Sequence, residues 1–191
     1  MLLYDAFMNS PMLNEKYWDT LLHLGWRGPR DILAYYGDNT SLHFIIRSCI
    51  DLKYKMLLLE KSLELHADLN QKTLGPSKAT PLMLACKKQN EVEITKWLLK
   101  NGANVNAMDI SNETVVFWLR NVFYDKKTRK EFLNLYLEAG LDVNLKDHNQ
   151  KTILDYPDFS QIISVWESKK IKKELTHSLP KTINASFKKK I

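Results

Sequence analysis

A short motif recurs along this chain and limits what it can fold into more than any other feature. The segments LHADLN, NGANVN and AGLDVN end in Asn70, Asn106 and Asn144, which are 36 and 38 residues apart. A second block contains a threonine, and its four copies are spaced by 40, 34 and 38 residues, at Thr40, Thr80, Thr114 and Thr152. A period between about 20 and 50 residues indicates an array of small structural units.

The clearest copy, residues 79–109, predicts a pair of helices. Thr80 is a typical N-cap residue, and Pro81 suits the first helical position, where a missing N–H costs nothing. After a polar break at residues 87–90, apolar residues return at helical spacing until Gly102, which favours the left-handed conformation that ends a helix. One such pair cannot bury its apolar face alone, so consecutive pairs are expected to stack.

The blocks TPLMLA and WLLKNGANVNAMD resemble the two hallmark blocks of ankyrin repeats, TPLHLA and LLxxGADVNAxD. The resemblance implies an all-α solenoid of stacked helix pairs with short β-hairpin-like loops. It covers three recognisable repeats and a truncated last one, at 39–73, 79–109, 112–147 and 150–168. Residues 1–38 are then an N-terminal cap or degenerate repeat, and residues 169–191 a basic C-terminal tail.

Three residues, two of them histidines, give local expectations. His66 stands where the family has a helix-ending glycine, so it must adopt the left-handed conformation at a cost of roughly 1 kcal/mol. His43 occupies the histidine position of the first block, which the resemblance implies is structural and bonds the backbone near the hairpin. Cys86 lies at an interior small-residue position, which favours a buried thiol over a nucleophile.

Near the C-terminus, apolar residues follow one face of a predicted helix. Phe159, Ile162, Ile163 and Trp166 fall at i, i+3, i+4 and i+7. This stripe can close the last repeat while the other face of the helix stays in water. Pro180 is expected to end any helix that continues into the tail.

The net charge of +6 lies mostly in that tail. Residues 169–191 contain eight lysines and one glutamate, which leaves residues 1–168 near neutral. A solvated, flexible extension is one interpretation, and attachment to nucleic acid or an anionic membrane is the other. With 45% hydrophobic residues, two cysteines, no secretory pattern and no apolar run of about 18 residues, the sequence predicts a globular cytoplasmic protein.

Sequence motifs for catalysis are missing. We find no GxxxxGK[ST], GxGxxG, HExxH or GxSxG pattern, and no cysteine–histidine spacing of a zinc site. Turn carboxylates such as Asp142 and Asp147 more often accept backbone N–H groups than act as acid or base. The sequence therefore predicts no enzyme, no cofactor, no metal ion and no small-molecule substrate.

The resemblance implies a partner-binding surface made of hairpin tips and first helices. Met108 and Ile110 are apolar without an evident packing reason, so they either contact a partner or touch a neighbouring tip. In the third repeat we favour Phe117 over its neighbour for this surface, together with Tyr124. The other candidate tip residues are Glu113, Lys146, His148, Lys72 and Leu74.

Two functions follow as hypotheses. The favoured one is a non-enzymatic module that binds a partner protein, and the weak repeats and the composition rich in lysine and asparagine suggest an injected bacterial effector acting in the host cytosol. The alternative is an adaptor held on nucleic acid or an anionic membrane by residues 169–191. Asn106 also matches the segments that cytosolic asparaginyl hydroxylase modifies, since Leu98 lies eight residues before it, although Asn104 replaces the usual acidic residue.

Overall fold

Stacked helix pairs build the protein, as a computed structural model describes for residues 41–48, 51–64, 66–73, 75–87, 92–122 and 125–178. A 3-10 turn precedes the last helix at Ile153–Asp155. The helices in chain order are α1 (Ser41–Arg47), α2 (Leu52–Glu64), α3 (Pro81–Ala85), α4 (Val92–Lys100), α5 (Val115–Arg120), α6 (Lys126–Glu138) and α7 (Pro157–Ser178).

Each short helix packs against the longer one that follows it, and the pairs then stack in sequence order. Helix α3 contacts α1 on one side and α5 on the other, while α6 lies between α4 and α7. The predicted all-α solenoid of helix pairs is confirmed. Within the described part of the chain, the single strand-like pairing is the bridge between Lys146 and Thr152 in the last hairpin loop.

One continuous core runs through the stack. Ile46 of α1, Leu82 of α3 and Leu119 of α5 are at most 1% exposed and belong to the same cluster of buried apolar residues. Cys86 lies in this cluster, and burial raises the pKa of its thiol to about 12. The prediction of a buried thiol is therefore confirmed, and the thiolate needed by a nucleophile is strongly disfavoured.

Local sequence signals define the ends of these helices. The Thr80 hydroxyl accepts a hydrogen bond from the Met83 N–H at 3.3 Å, so Thr80 caps α3 as predicted. Gly102 ends α4 with φ +97°, and the next N–H, of Ala103, donates to the Leu98 carbonyl at 2.9 Å. His66 ends α2 at φ +59°, which confirms that a non-glycine residue takes the left-handed conformation there.

The last helix closes the stack and extends further than expected. Phe159 and Ile163 are 1% exposed, whereas Ile162 and Trp166 are half-buried, so the predicted one-sided stripe is confirmed. Helix α7 continues to Ser178, so a flexible extension beginning at residue 169 is wrong for residues 169–178. Lysine and glutamate are good helix formers, and no proline occurs between Pro157, the first residue of α7, and Pro180.

Two predictions fall on parts of the chain outside the described residues. The proposed N-terminal cap at 1–38 and the end of the tail, including Pro180, both lie there. Among the described helices, none combines the length and the apolar character needed to cross a bilayer.

Candidate partner-binding face

The hairpin loops between repeats are each held by one side chain at the same position. The Asp109 Oδ1 atom accepts the N–H groups of Ser111 and Glu113 at 2.7 and 2.9 Å. Asp147 Oδ1 accepts those of Asn149 and Lys151 at 2.8 and 3.0 Å. These short polar residues satisfy loop backbone groups that no helix serves, so the loops have a defined shape.

Asparagine side chains join successive loops. Asn70 Oδ1 accepts the Asn104 N–H at 2.7 Å, and one repeat later Asn106 Oδ1 accepts the Asp142 N–H at 2.8 Å. Asn106 also donates from Nδ2 to the Gly140 carbonyl at 3.0 Å. In its first two copies, at Asn70 and Asn106, the recurring asparagine therefore connects one loop to the next.

Replacing Asn106 with alanine will remove both side-chain bonds that it makes to the following loop. We expect the free energy of unfolding to fall by about 1–2 kcal/mol, because Gly140 and Asp142 each lose a partner. Asn144 is the matched control, since its side-chain amide bonds only Asp142 of its own loop. Its replacement by alanine is expected to cost less than about 0.5 kcal/mol in urea unfolding, and equal losses for the two variants would contradict the assignment.

Hydroxylation of Asn106 stays a prediction. Both polar atoms of its side chain are engaged with the next repeat, as described above. Mass spectrometry of the Asn106 peptide after coexpression with the hydroxylase tests it, and no mass increase would refute it.

His43 anchors the first described repeat to the second. Its Nε2–H donates to the Ala79 carbonyl at 3.0 Å, and the residue is fully buried. Burial is the main reason that the pKa of its imidazole falls to about 4, with the nearby Arg47 acting in the same direction. The neutral ring is thus a structural donor beside the hairpin, as expected.

Five of the predicted partner-binding residues reach the surface. Ile110 is 65% exposed, Met108 is half-buried, and Lys72, Lys146 and His148 are exposed. Leu74 and Tyr124 lie outside the described residues.

The prediction that Glu113 and Phe117 lie on the partner-binding surface is wrong. Glu113 is only 8% exposed, because its carboxylate turns inward to lie 3.7 Å from Arg120 Nη2 and 3.5 Å from His148 Nδ1. Phe117 is 1% exposed and packs edge-on against Tyr156, with 6.2 Å between ring centroids. Phe117 is therefore a core residue and cannot line a partner surface.

Trp118 is the aromatic residue of α5 that reaches the surface. It is half-buried, and its indole N–H donates to Asp109 Oδ2 at 2.8 Å. Tyr156, half-buried one repeat later, donates its hydroxyl to Asp147 Oδ2 at 2.9 Å. Both lie four residues after the repeat threonine, as does the half-buried Leu84, whereas Phe44 at the same offset in the first repeat is buried. In three of the four copies this offset reaches the surface, and it is the sequence signal that indicates Trp118.

Cations lie over these half-buried rings. Lys87 Nζ is 4.3 Å from the Trp118 ring centroid, and the Arg120 guanidinium is 4.4 Å from that of Tyr156. We call the resulting surface the hairpin face: Lys72, Met108, Ile110, Lys146 and His148 at the tips, with Leu84, Trp118 and Tyr156 beside them. Rings with fixed orientation and cations nearby are typical of protein-binding surfaces.

Glu113, Asp147 and His148 form the one group of acidic and histidine side chains, within the described chain, close enough to share a metal ion. Arg120 lies 3.7 Å from both carboxylates and already supplies positive charge to them. Burial of Glu113, followed by the effect of Asp109, raises the pKa of its carboxyl. Burial also acts to raise the pKa of Asp147, but hydrogen bonds from Lys151, Tyr156 and Asn149 outweigh it and hold that pKa below its usual value.

Comparison with known proteins agrees with this architecture. Residues 77–110 match the ankyrin repeat family model. No curated protein sequence is significantly similar to the chain.

Two solved structures share the fold. The ankyrin repeat domain of Bcl-3, a member of the IκB family, aligns over 61% of this chain and 46% of its own, with 23% identity and a TM-score of 0.50. An ankyrin repeat domain from Acinetobacter baumannii aligns over 66% of this chain and 64% of its own, with 21% identity and a TM-score of 0.54. The chain thus spans less than two thirds of either protein. Its helix pairs form an ankyrin-repeat solenoid, with an ankyrin repeat at residues 77–110.

Proposed function

We propose that this chain is a non-enzymatic module that binds a partner protein through the hairpin face. Ankyrin repeats are generally protein–protein interaction modules and are typically non-enzymatic. The hairpin face supports the proposal because it combines apolar and aromatic side chains with cations that lie over the Trp118 and Tyr156 rings.

The exposed side chain of Ile110 is the observation that carries the proposal. It is the most exposed large apolar residue of the described chain, at 65%. Its backbone N–H donates to the Ser77 carbonyl of the preceding loop at 3.2 Å, so the loop is held in place. Asp109 of the same loop accepts the Trp118 indole N–H. An apolar side chain on a loop held in this way loses little conformational entropy on binding, which favours a protein anchor.

Replacing Ile110 with glutamate tests the proposal. Partners captured from host-cell lysate with the unmodified chain are first identified by mass spectrometry, and binding of the purified partner is then titrated. We expect Ile110→Glu to weaken binding by at least about tenfold, since truncating an interface anchor costs about 2 kcal/mol or more. The stability of the variant, measured by urea unfolding, is expected to stay within about 0.5 kcal/mol.

Ile171 provides the matched control. It is 58% exposed on α7, outside the hairpin face, so Ile171→Glu makes the same chemical change on an unrelated surface. The proposal requires that partner binding survive this substitution. Equal loss in both variants, or unchanged binding in Ile110→Glu, would contradict it.

The role of an injected bacterial effector belongs to the same proposal, with the host cytosol as the place of action. It is tested by fusing the chain to a reporter enzyme that becomes active only in host cytosol. Reporter activity in infected cells is expected, and its absence when the secretion system is intact would refute the effector role.

A further inference from the structure

A second surface lies in a groove of about 370 Å³ between α6 and α7. None of the hairpin-face residues lines it. Its apolar side comes from Ile162, Val165 and Trp166 of α7, and Val165 is 44% exposed. Phe159 and Ile163 of α7 are buried against the core, whereas Val165 lies on the solvent-facing side of the helix.

Positive charge surrounds the apolar side of the groove. Lys130 stands on the α6 side, and Lys169, Lys170 and Lys173 stand along α7. Glu138 is the one acidic residue that lines it, so the lysines outnumber the carboxylate by four to one. A concave surface with cations on both sides concentrates field lines and favours an anionic ligand.

The apolar side of the groove favours one class of anionic ligand among nucleic acid, membrane and acidic peptide. Lys170 Nζ lies 5.2 Å from the Trp166 ring centroid, so this lysine competes with a stacking base for one face of the ring. Phe159 and Ile163 are buried against the core, so the main apolar stripe of α7 is not available for insertion into a membrane. An acidic peptide needs neither a free aromatic face nor a long apolar stripe. Its carboxylates pair with the lysines, and one apolar side chain is enough to cover the apolar side of the groove.

We propose that the groove between α6 and α7 binds an acidic peptide segment of a partner protein that carries one apolar side chain. Peptide carboxylates pair with Lys130 on one side and Lys169 on the other. The apolar side chain lies against Val165 and Trp166. This site is separate from the hairpin face and adds a second specificity to the module.

The test is fluorescence anisotropy of the full chain with a labelled glutamate-rich peptide that has one central leucine. Lys130→Glu and Lys169→Glu are each expected to weaken binding about tenfold, because a favourable ion pair becomes a repulsive one. Lys127→Glu on α6 and Lys172→Glu on α7 are matched controls, since neither residue lines the groove. Similar losses in controls and groove variants would overturn the proposal, since long-range attraction alone would then explain binding.

The peptide itself supplies the second comparison. Replacing its leucine with serine is expected to weaken binding about fivefold, consistent with loss of one apolar contact. Unchanged affinity would overturn the proposed contact of the peptide's apolar side chain with Val165 and Trp166. Tighter binding of phosphatidylserine vesicles or of a single-stranded oligonucleotide than of the peptide would also overturn it. Ile110→Glu is expected to leave peptide binding unchanged, so failure of one site is distinguishable from failure of the other.

Discussion

Replacing Phe117 with alanine will lower the free energy of unfolding by about 3–5 kcal/mol. Phe117 is 1% exposed, belongs to the continuous core and packs edge-on against Tyr156 of the next repeat. The substitution therefore removes apolar surface from two repeats at once and leaves a cavity between them. Urea unfolding followed by circular dichroism measures the loss.

Leu57 is the control for this experiment. It lies in α2 and is 43% exposed, so Leu57→Ala is expected to change the free energy of unfolding by less than about 0.5 kcal/mol. If Phe117→Ala itself is too unstable to purify, Phe117→Leu retains most of the volume and is expected to lose about 1–2 kcal/mol. A loss for Phe117→Ala below that of Leu57→Ala would place the ring in solvent and contradict the structure.

Lowering the pH from 6.5 to 4 will destabilise the fold through His43. The pKa of its imidazole is about 4 in the folded protein and about 6.5 in an unfolded chain, so the unfolded state binds a proton first. Stability linked to this group is fully present above pH 6.5 and is lost as pH falls towards 4, by about 3 kcal/mol. Free energies of unfolding at a series of pH values give the profile.

Other groups change the same profile, so His43→Gln isolates the histidine. The raised pKa of Glu113 acts in the opposite direction, because the folded state binds that proton more readily. Asp147, with its pKa lowered, loses its stabilisation only at still lower pH. Glutamine keeps a donor for the Ala79 carbonyl without titrating, so the stability of His43→Gln is expected to fall less between pH 6.5 and 4 than that of the unmodified chain. Identical pH profiles for the two proteins would show that His43 is not the cause.

The sequence predicted the helix pairs because their signals are local. Thr80 and Pro81 begin α3, Gly102 ends α4, and these residues act on backbone groups a few positions away. The repeat also placed His43 correctly, since its hydrogen-bond partner Ala79 comes from the next copy of the same motif. Elements that depend on neighbouring backbone or on an exact repeat could therefore be predicted.

The aromatic pair of the third repeat could not be oriented by helical periodicity, because α5 spans only six residues. The equivalent positions in the other repeats distinguish the two rings instead. Phe117 shares its position with His43 and Met83, and both are fully buried. Trp118 shares its position with the half-buried Leu84 and Tyr156, although Phe44 at this position of the first repeat is 8% exposed, so comparing the copies favours Trp118 over Phe117 as the ring at the surface.

Glu113 could not be assigned from its own segment, since its orientation depends on residues far along the chain. Arg120 approaches from α5 and His148 from the next hairpin loop. The groove beside α7 was missed for a related reason: Lys130 and Lys169 are 39 residues apart, and only the packing of α6 against α7 brings them to one surface.

Hydrogen–deuterium exchange of the chain with and without its captured partner locates the binding surface. We predict slower exchange on binding in the hairpin segments 106–113 and 144–151, with little change in α2. Protection confined to α2, or no protection in either hairpin segment at saturating partner, would contradict the assignment of the hairpin face as the binding surface.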